Sequence, residues 1–343
     1  MTPEPVLRVE GLKKHFPIFK GIIPRPAGFV YAVDGVSFEI GRGETLGLVG
    51  ESGCGKSTAG RTLLKLLEPT AGRVWLNGED ITDLDRTAML PYRQKMQMIY
   101  QDPYASLNPR MTAGDVVGEP LIIHNVATGQ DRRDRVASLF DRVGLRADQM
   151  ALYPHEFSGG QRQRIGIARA LALSPALIVG DEPVSALDVS IQAQIINLMM
   201  DLQEEFQLSY LFVAHDLAVV EHISHRVAVM YLGRIVEMTD KRSLFEMPLH
   251  PYTEALLSAV PIPKSGARGR RRVIVKGDVP SPINPPSGCH FHTRCGYATA
   301  RCRAEAPVLR EVTAGHLAAC HLHDGGVRFP LGTGADYTSG LNH

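Results

Sequence analysis

Several features are absent from this 343-residue sequence. It has no uninterrupted apolar run that approaches the roughly 18 residues of a membrane-spanning helix. The opening residues, MTPEPVLRVE, contain neither the basic nor the apolar segment of a secretory signal. No charge of one sign dominates, because 37 basic residues face 36 acidic ones and the net charge is +1. We therefore expect neither a membrane-embedded chain nor one that binds nucleic acid through its overall charge.

Cysteine is nearly absent from most of the chain. Cys54 is the only cysteine in the first 288 residues, and the other four fall in the last 55: Cys289, Cys295, Cys302 and Cys320. Apolar residues make up 44% and charged residues 21%, as in globular proteins with a sizeable core. This composition excludes disorder, collagen and coiled coil as the main state. Length and cysteine placement together predict a large body with a small, chemically different tail.

Short apolar runs alternate with helical patterns over most of the chain. Residues 44–49, 176–181 and 210–214 are typical of buried strands, and apolar residues at helical spacing fill 191–206. Strand–helix–strand order predicts parallel strands joined by crossover helices, and hence an α/β fold. Residues 103–157 lack strong strand patterns, so we expect a helical subdomain inserted into that core. Residues 17–28, between two strand-like stretches, are expected to form an inserted loop.

One segment carries a phosphate-binding motif. Residues 50–57, Gly-Glu-Ser-Gly-Cys-Gly-Lys-Ser, match G-x-x-x-x-G-K-[ST] at every defined position, between a predicted strand and a predicted helix. Its glycines let successive N–H groups turn toward phosphate oxygens, and the helix start adds its positive dipole end. Lys56 can neutralise phosphate charge, and the Ser57 hydroxyl can bind Mg²⁺. The predicted nucleotide contacts here are Gly50, Ser52, Gly53, Gly55, Lys56, Ser57 and Thr58.

A pair of carboxylates follows another predicted strand. Asp181 and Glu182 come directly after Leu177-Ile-Val-Gly180. A carboxylate at the tip of a buried strand beside a phosphate-binding loop can hold Mg²⁺, directly or through water. The next carboxylate, Glu182, can orient and deprotonate an attacking water. The alternative is an ordinary solvated turn, but beside the phosphate-binding loop the pair favours hydrolysis of a nucleoside triphosphate.

A second potential anion site begins another predicted helix. Ser158-Gly-Gly-Gln161 precedes a helical pattern that runs to Leu173, and a helix start of this kind binds anions. A plain helix cap is the alternative interpretation. Two such helix starts serve one nucleotide only if they fold close together or if a second subunit supplies one of them. The arrangement therefore predicts a dimer in which each subunit completes the other's site.

In order and spacing, these motifs resemble the ATPase domain of ATP-binding-cassette (ABC) transporters over residues 7–260. The resemblance implies a P-loop NTPase fold with a helical subdomain at about 103–157, and ATP hydrolysis coupled to transport. Phe157 stands where the family more often has Leu, and we expect it to pack rather than bind phosphate. The resemblance also implies that the partner's nucleotide is contacted by Ser158, Gly159, Gly160 and Gln161.

The same resemblance implies further roles around the nucleotide. Gln101 would sense Mg²⁺ and nucleotide, so the implied Mg²⁺ ligands are Ser57, Gln101 and Asp181. His215 would contact the γ-phosphate, which makes Glu182, His215 and Gln101 the catalytic set. Asp188, in Ser185-Ala-Leu-Asp188, would lie in the loop that links the two sites of the dimer. Phe16 is the candidate for stacking on adenine, with Tyr31 as the alternative.

Two segments resemble a particular group of importers. Leu249-His-Pro-Tyr-Thr-Glu-Ala-Leu256 and the tail from Gly277 are similar to ATPase subunits of oligopeptide, dipeptide and nickel importers. The resemblance implies a second, often non-identical ATPase subunit, two integral-membrane permeases and an extracytoplasmic solute-binding protein, with no nucleic-acid partner. It places the chain peripherally on the cytoplasmic face of the inner membrane. The alternative is a soluble ABC ATPase that acts on nucleic acid or ribosomes.

The four tail cysteines have the spacing C-x5-C-x6-C-x17-C. This fits neither the paired spacing of zinc sites nor the ferredoxin spacings, so metal ligands and free thiols both stay open. Disulfides are not expected in the reducing cytoplasm. Gly288-Cys-x-Phe-x-x-Arg-Cys295 and His316-x-x-x-Cys320 resemble the peptide-importer tail, which in some members binds a [4Fe–4S] cluster. The resemblance implies such a cluster on Cys289, Cys295, Cys302 and Cys320, within a C-terminal domain at 261–330.

Overall fold

The structure is a computed structural model that describes residues 4–21, 25–259, 275 and 277–324. The described strands are β1 Leu7–Lys20, β2 Arg25–Ile40, β3 Thr45–Val49, β4 Ala71–Leu76, β5 Glu79–Asp80, β6 Met96–Ile99, β7 Leu177–Asp181, β8 Ser209–Ala214, β9 Arg226–Tyr231, β10 Arg234–Asp240, β11 Arg310–Thr313 and β12 His316–Ala318. The helices are α1 Lys56–Leu63, α2 Leu90–Lys95, α3 Pro103–Ser106, α4 Ala113–Ile123, α5 Gly129–Arg142, α6 Gly159–Leu171, α7 Val189–Phe206, α8 Leu217–Ile223, α9 Lys241–Glu246, α10 Pro251–Ser258 and α11 Ala300–Ala304. Short 3-10 helices cover Ala147–Ala151, Pro154–Glu156 and His321–His323.

The central sheet brings three strand ends together. Its order is β11-β12-β10-β9-β3-β8-β7-β6, and β9, β3, β8, β7 and β6 run parallel. Every residue of β3, β7 and β8 is buried, as the apolar runs predict for strands covered on both faces. Val49 pairs with Ala214, and Asp181 pairs with Val213. The residues that follow these three strands therefore share one edge of the sheet, which confirms the predicted parallel α/β core.

A smaller antiparallel sheet has the order β2-β1-β4-β5. The interpretation of residues 17–28 as a loop was wrong, because β1 continues to Lys20 and β2 begins at Arg25. Residues 22–24, between them, lie outside the described residues. Pro17 is compatible with this ladder because β1 pairs with β4 only as far as Lys13, and the Pro and Gly residues of β2 are compatible because β2 is an edge strand.

Helices dominate the stretch from residue 103 to 157, as the sequence predicts. It contains α3, α4 and α5 and the first two 3-10 helices, and it has no strand. Val117 and Phe140 are buried in it, and Phe157 packs into the same core at 3% exposure. The packing role expected for Phe157 is therefore confirmed. The subdomain projects from the sheet between β6 and β7.

The described part of the tail joins the central sheet. β11 and β12 pair with each other, and β12 pairs with β10 through Glu237 and Ala318. The division into domains at 7–260 and 261–330 stays a prediction. In the second of these domains, residues 261–274, 276 and 325–330 lie outside the described residues. Within the described ranges, none of the helices has both the length and the apolar character needed to cross a bilayer.

Candidate functional site

The phosphate-binding loop connects β3 to α1 and is closely packed. Gly50 has φ +154° and Gly55 has φ +109°. A Cβ atom on Gly55 would lie 1.9 Å from the carbonyl oxygen of Ala32, and one on Gly50 would lie 2.2 Å from that of Met230. Neighbouring backbone therefore requires glycine at both positions, independently of any ligand.

A cavity of about 450 Å³ opens in front of this loop. Its lining contains nine residues that the sequence singles out: Ser52, Gly53, Gly55, Lys56, Ser57, Thr58, Gln101, Glu182 and His215. Val30, Ala32 and Pro282 complete the wall. Residues from the loop, from the ends of β7 and β8, and from the link after β6 thus meet in one place. Its size suits a small ligand.

Lys56 lies across the loop with a buried side chain. Its Nζ donates to the carbonyl oxygens of Gly50 at 2.8 Å and Glu51 at 3.1 Å. A buried ammonium needs such acceptors, because its charge is costly without them. The loop therefore holds a positive charge at the cavity wall, where phosphate oxygens can replace the carbonyl groups.

Ser57, which lines the cavity, contacts Asp181, which is not among the described residues of the lining. The Ser57 hydroxyl donates to Asp181 Oδ1 at 2.6 Å, and Arg61 Nη2 lies 3.3 Å from Asp181 Oδ2. Asp181 is 1% exposed. Hydroxyl and carboxylate oxygens are the hard donors that Mg²⁺ prefers. The two residues present fit a magnesium site.

Glu182 is in contact with both other members of the predicted catalytic set. Its Oε2 lies 3.0 Å from His215 Nδ1 and accepts from Gln101 Nε2 at 3.2 Å. The backbone of Glu182 has φ +48°, and its N–H donates to the Val213 carbonyl at 3.0 Å. A left-handed conformation costs a non-glycine residue about 1–2 kcal/mol, so it persists only where the surrounding structure imposes it. Here the hydrogen bond to Val213, near the end of β8, helps to hold the Glu182 backbone in this conformation and so positions its side chain.

The two candidate adenine-stacking aromatics lie on opposite faces of the small sheet. Phe16 pairs directly with Val30, which lines the cavity, and so shares its face. Tyr31 lies on the other face, where its ring centroid is 4.7 Å from that of His15. Neither aromatic is among the described residues that line the cavity. The geometry favours Phe16, whose role stays a prediction.

The second predicted phosphate-binding segment lies away from this cavity. Ser158 caps α6, with its Oγ accepting from Gln161 N at 3.3 Å and its own N–H donating to Gln161 Oε1 at 3.0 Å. Asp188 is exposed at the start of α7, where Val189 is 81% exposed. None of Ser158, Gly159, Gly160, Gln161 and Asp188 is among the described residues that line the cavity.

The four tail cysteines lie near one another. Cys289 N donates to the Cys302 carbonyl at 2.8 Å. Burial, with a smaller contribution from the charges of the neighbouring cysteines, raises the pKa of the Cys295 and Cys320 thiols to about 12. In the described ranges, no group of three or more His, Cys, Asp or Glu side chains is arranged to hold a metal ion. The arrangement of the described side chains therefore does not support the predicted iron–sulfur cluster.

Sequence reasoning missed the residues that support the loop from behind. Glu51, at an unspecified position of the motif, contacts Arg294 and Tyr252. Pro282, from the tail, lines the cavity. The signals were in the two importer-like segments, since Tyr252 lies in one and Arg294 in the other, but neither segment indicates a contact with residue 51.

Comparison with known proteins agrees with this geometry. A sequence profile described as "ABC transporter" matches residues 33–185, and one described as "Oligopeptide/dipeptide transporter, C-terminal region" matches residues 236–302. The chain belongs to the family of ATP-binding subunits of ABC transporters, in the oligopeptide/dipeptide group.

Two relatives and one solved structure illustrate the match. The oligopeptide transport ATP-binding protein AppF of Bacillus subtilis is 56% identical over 322 residues, covering 93% of this chain and 98% of its own. The dipeptide transport ATP-binding protein DppF of Haemophilus influenzae is 52% identical over 316 residues, covering 92% and 96%. The cassette MJ0796, described as a dimeric post-hydrolysis state bound to ADP and Pi, is 29% identical with a TM-score of 0.61, covering 69% of this chain and 99% of its own.

Proposed function

We propose that this chain is the ATP-hydrolysing subunit that energises the import of dipeptides or oligopeptides through an ABC transporter. One observation carries the proposal. Lys56, Ser57, Glu182 and His215 line a single cavity in a chain that is 56% identical to an oligopeptide transport ATP-binding protein. No observation favours the alternative of an ABC ATPase that acts on nucleic acid or ribosomes.

The cavity supports a direct hydrolytic step. The loop N–H groups and Lys56 would bind the phosphates, and Ser57, Asp181 and Gln101 would hold Mg²⁺, which neutralises phosphate charge when bound. Glu182 would take a proton from a water molecule as the water oxygen bonds to the γ-phosphorus. The bond from that phosphorus to the bridging oxygen breaks, and ADP and phosphate result. His215 and Gln101 both contact Glu182 Oε2 and would hold this carboxylate in position to accept the proton of the attacking water.

Transport requires other subunits. Ser158, Gly159, Gly160, Gln161 and Asp188 would complete the site of a second ATPase subunit, identical or not. Their position outside this cavity supports a role in trans. The transporter would contain two membrane permeases, whose coupling helices the helical subdomain at 103–157 would receive, and a solute-binding protein on the far side of the membrane. In this proposal the chain lies peripherally on the cytoplasmic face of the membrane.

Peptide uptake tests the proposal. Deleting the gene should abolish uptake of a labelled dipeptide or tripeptide that wild-type cells accumulate, and the wild-type gene should restore it. The complex reconstituted with its permeases should hydrolyse ATP faster when the loaded binding protein is added. Undiminished uptake of a whole peptide library in the deletion strain would contradict peptide import. Co-purification with ribosomes or nucleic acid instead of permeases would favour the alternative.

We also infer that Cys289, Cys295, Cys302 and Cys320 bind a [4Fe–4S] cluster with a structural or regulatory role. Four thiolates are the ligand set of such a cluster. Backbone N–H groups of Phe291, Tyr297 and Leu322 donate to three of the sulfurs. Cys289, Cys295 and Cys302 all lie close enough to Cys320 to act electrostatically on its thiol, so the four sulfurs share one neighbourhood.

Anaerobic purification tests the cluster. The wild-type chain should be coloured and contain four iron and four acid-labile sulfide per chain. Cys320→Ser should reduce both contents and the visible absorption, because one ligand is lost. Cys54→Ser is the matched control and should leave them unchanged, since Cys54 lies in the phosphate-binding loop. A colourless wild-type chain without iron or sulfide would refute the cluster.

A further inference from the structure

The tail contacts the phosphate-binding loop through a bidentate ion pair. Arg294 Nη1 and Nη2 donate to the two carboxylate oxygens of Glu51 at 2.8 and 3.1 Å. The Arg294 side chain is only 8% exposed, and that of Glu51 is 30% exposed. Paired, partly desolvated charges in this geometry interact more strongly than the usual surface pair.

Arg294 is attached to a cluster of packed aromatic rings. The backbone N–H of Arg294 donates to the Phe291 carbonyl at 3.0 Å. The Phe291 ring lies against Tyr231 and Tyr252, with centroids 5.3 and 5.4 Å away. Tyr252 also supports the loop directly, because its hydroxyl oxygen accepts from Glu51 N at 2.8 Å. Glu51 is thus held through both its side chain and its backbone.

The tail is itself attached to the central sheet at a buried carboxylate. Glu237, on β10, is fully buried and accepts from Leu249 N at 2.7 Å and His250 N at 2.8 Å. His316 Nε2, on β12, lies 2.7 Å from its Oε1. The tail also contacts the small sheet, where Tyr31 N donates at 3.0 Å to the carbonyl of Pro282, which lines the cavity. Arg294 is therefore fixed relative to the sheet that carries the loop.

Glu51 is linked to the positive charge that faces the cavity. Its carbonyl oxygen accepts from Lys56 Nζ at 3.1 Å, so a shift of the Glu51 backbone would move the partner of that ammonium. The Glu51 carboxylate would also repel a triphosphate bound next to it, and Arg294 neutralises it. Both effects act on nucleotide binding and neither requires Arg294 to touch the nucleotide.

We propose that Arg294 is a positioning residue for the nucleotide: through Glu51 it holds the phosphate-binding loop in the conformation that receives MgATP. The tail thereby supports ATP binding as well as packing on the sheet. This inference rests on the proposed nucleotide site, but neither on the proposed solute nor on the cluster. Arg294 contacts Glu51 in the phosphate-binding loop and acts on that loop rather than on the carboxylate of Glu182. It should therefore affect the binding of ATP more than its hydrolysis.

The test is a double-mutant cycle on MgATP affinity in the full-length chain, measured with a fluorescent ATP analogue. Arg294→Gln should weaken binding at least about fivefold, as a coupled site does. In a Glu51→Gln background the same change should have little effect, because its partner is gone. The charge-swapped variant, Glu51→Arg with Arg294→Glu, should recover part of the affinity. Arg301→Gln is the matched control, since Arg301 pairs with Glu305 inside the tail.

Thermal unfolding of each variant separates binding from folding. In the assembled transporter, Arg294→Gln should raise the KM for ATP and leave kcat close to that of wild type. Equal loss of affinity from Arg294→Gln with and without Glu51 would overturn the inference, as would affinity equal to wild type in a folded Arg294→Gln chain. Failure of the wild-type chain to bind MgATP would overturn the proposed nucleotide site, and this inference with it.

Discussion

Glu182→Gln is expected to reduce steady-state ATP hydrolysis at least about a hundredfold while MgATP binding is retained. Glutamine has the shape of glutamate and keeps the contacts with His215 Nδ1 and Gln101, but it cannot accept a proton from water. The phosphate-binding loop and Lys56 are unchanged by the substitution. The loss should therefore fall on kcat and spare affinity.

Phosphate release by the assembled transporter measures the first part, and fluorescent-nucleotide titration measures the second. Glu204→Gln is the matched control, because Glu204 is an exposed glutamate of α7 and lies outside the cavity lining. It should turn over ATP like the wild-type complex. Normal hydrolysis by Glu182→Gln would remove Glu182 from the role of base and leave His215 as the group to test next.

The nucleotide cavity was predictable because its motifs are local and its strands are parallel. Each motif directly follows an apolar strand, and parallel strands end on one edge of a sheet. That Lys56, Glu182 and His215 line one cavity then follows from the pairing of three neighbouring strands. Even the backbone requirement at Gly50 and Gly55 agrees with the motif, although its cause is the close approach of Met230 and Ala32.

What the sequence did not indicate is contact between distant segments. Glu51 and Arg294 are 243 residues apart, and although each lies in a recognisable motif, neither motif indicates a contact with the other. Their pairing depends on how the tail packs against Tyr231 and Tyr252, which no local pattern encodes. The β1–β2 hairpin was missed for a related reason: its Pro and Gly residues indicate a loop unless it is known that β2 lies at the sheet edge and that β1 pairs with β4 only as far as Lys13.

Lys56→Met is expected to weaken MgATP binding by about 10- to 150-fold, the equivalent of a charged hydrogen bond of about 1.5–3 kcal/mol. Methionine fills the buried path of the lysine stem, so the loop keeps its packing. It supplies neither the charge nor the N–H donors that now bond to the carbonyls of Gly50 and Glu51. Those carbonyls can turn to water, because the cavity is open in front of them.

Comparison of MgATP with MgADP sharpens this prediction. The family resemblance assigns Lys56 to the β- and γ-phosphates, so the substitution should cost more affinity for ATP than for ADP and should reduce the salt dependence of ATP binding. Calorimetric titration of the full-length chain measures the affinity for ATP, the affinity for ADP and the salt dependence of ATP binding.

Lys95→Met, at the exposed end of α2, is the control and should bind like the wild-type chain. Equal losses for the two nucleotides would place Lys56 beside the α- and β-phosphates instead. Unchanged ATP affinity would mean that the backbone N–H groups alone bind the triphosphate.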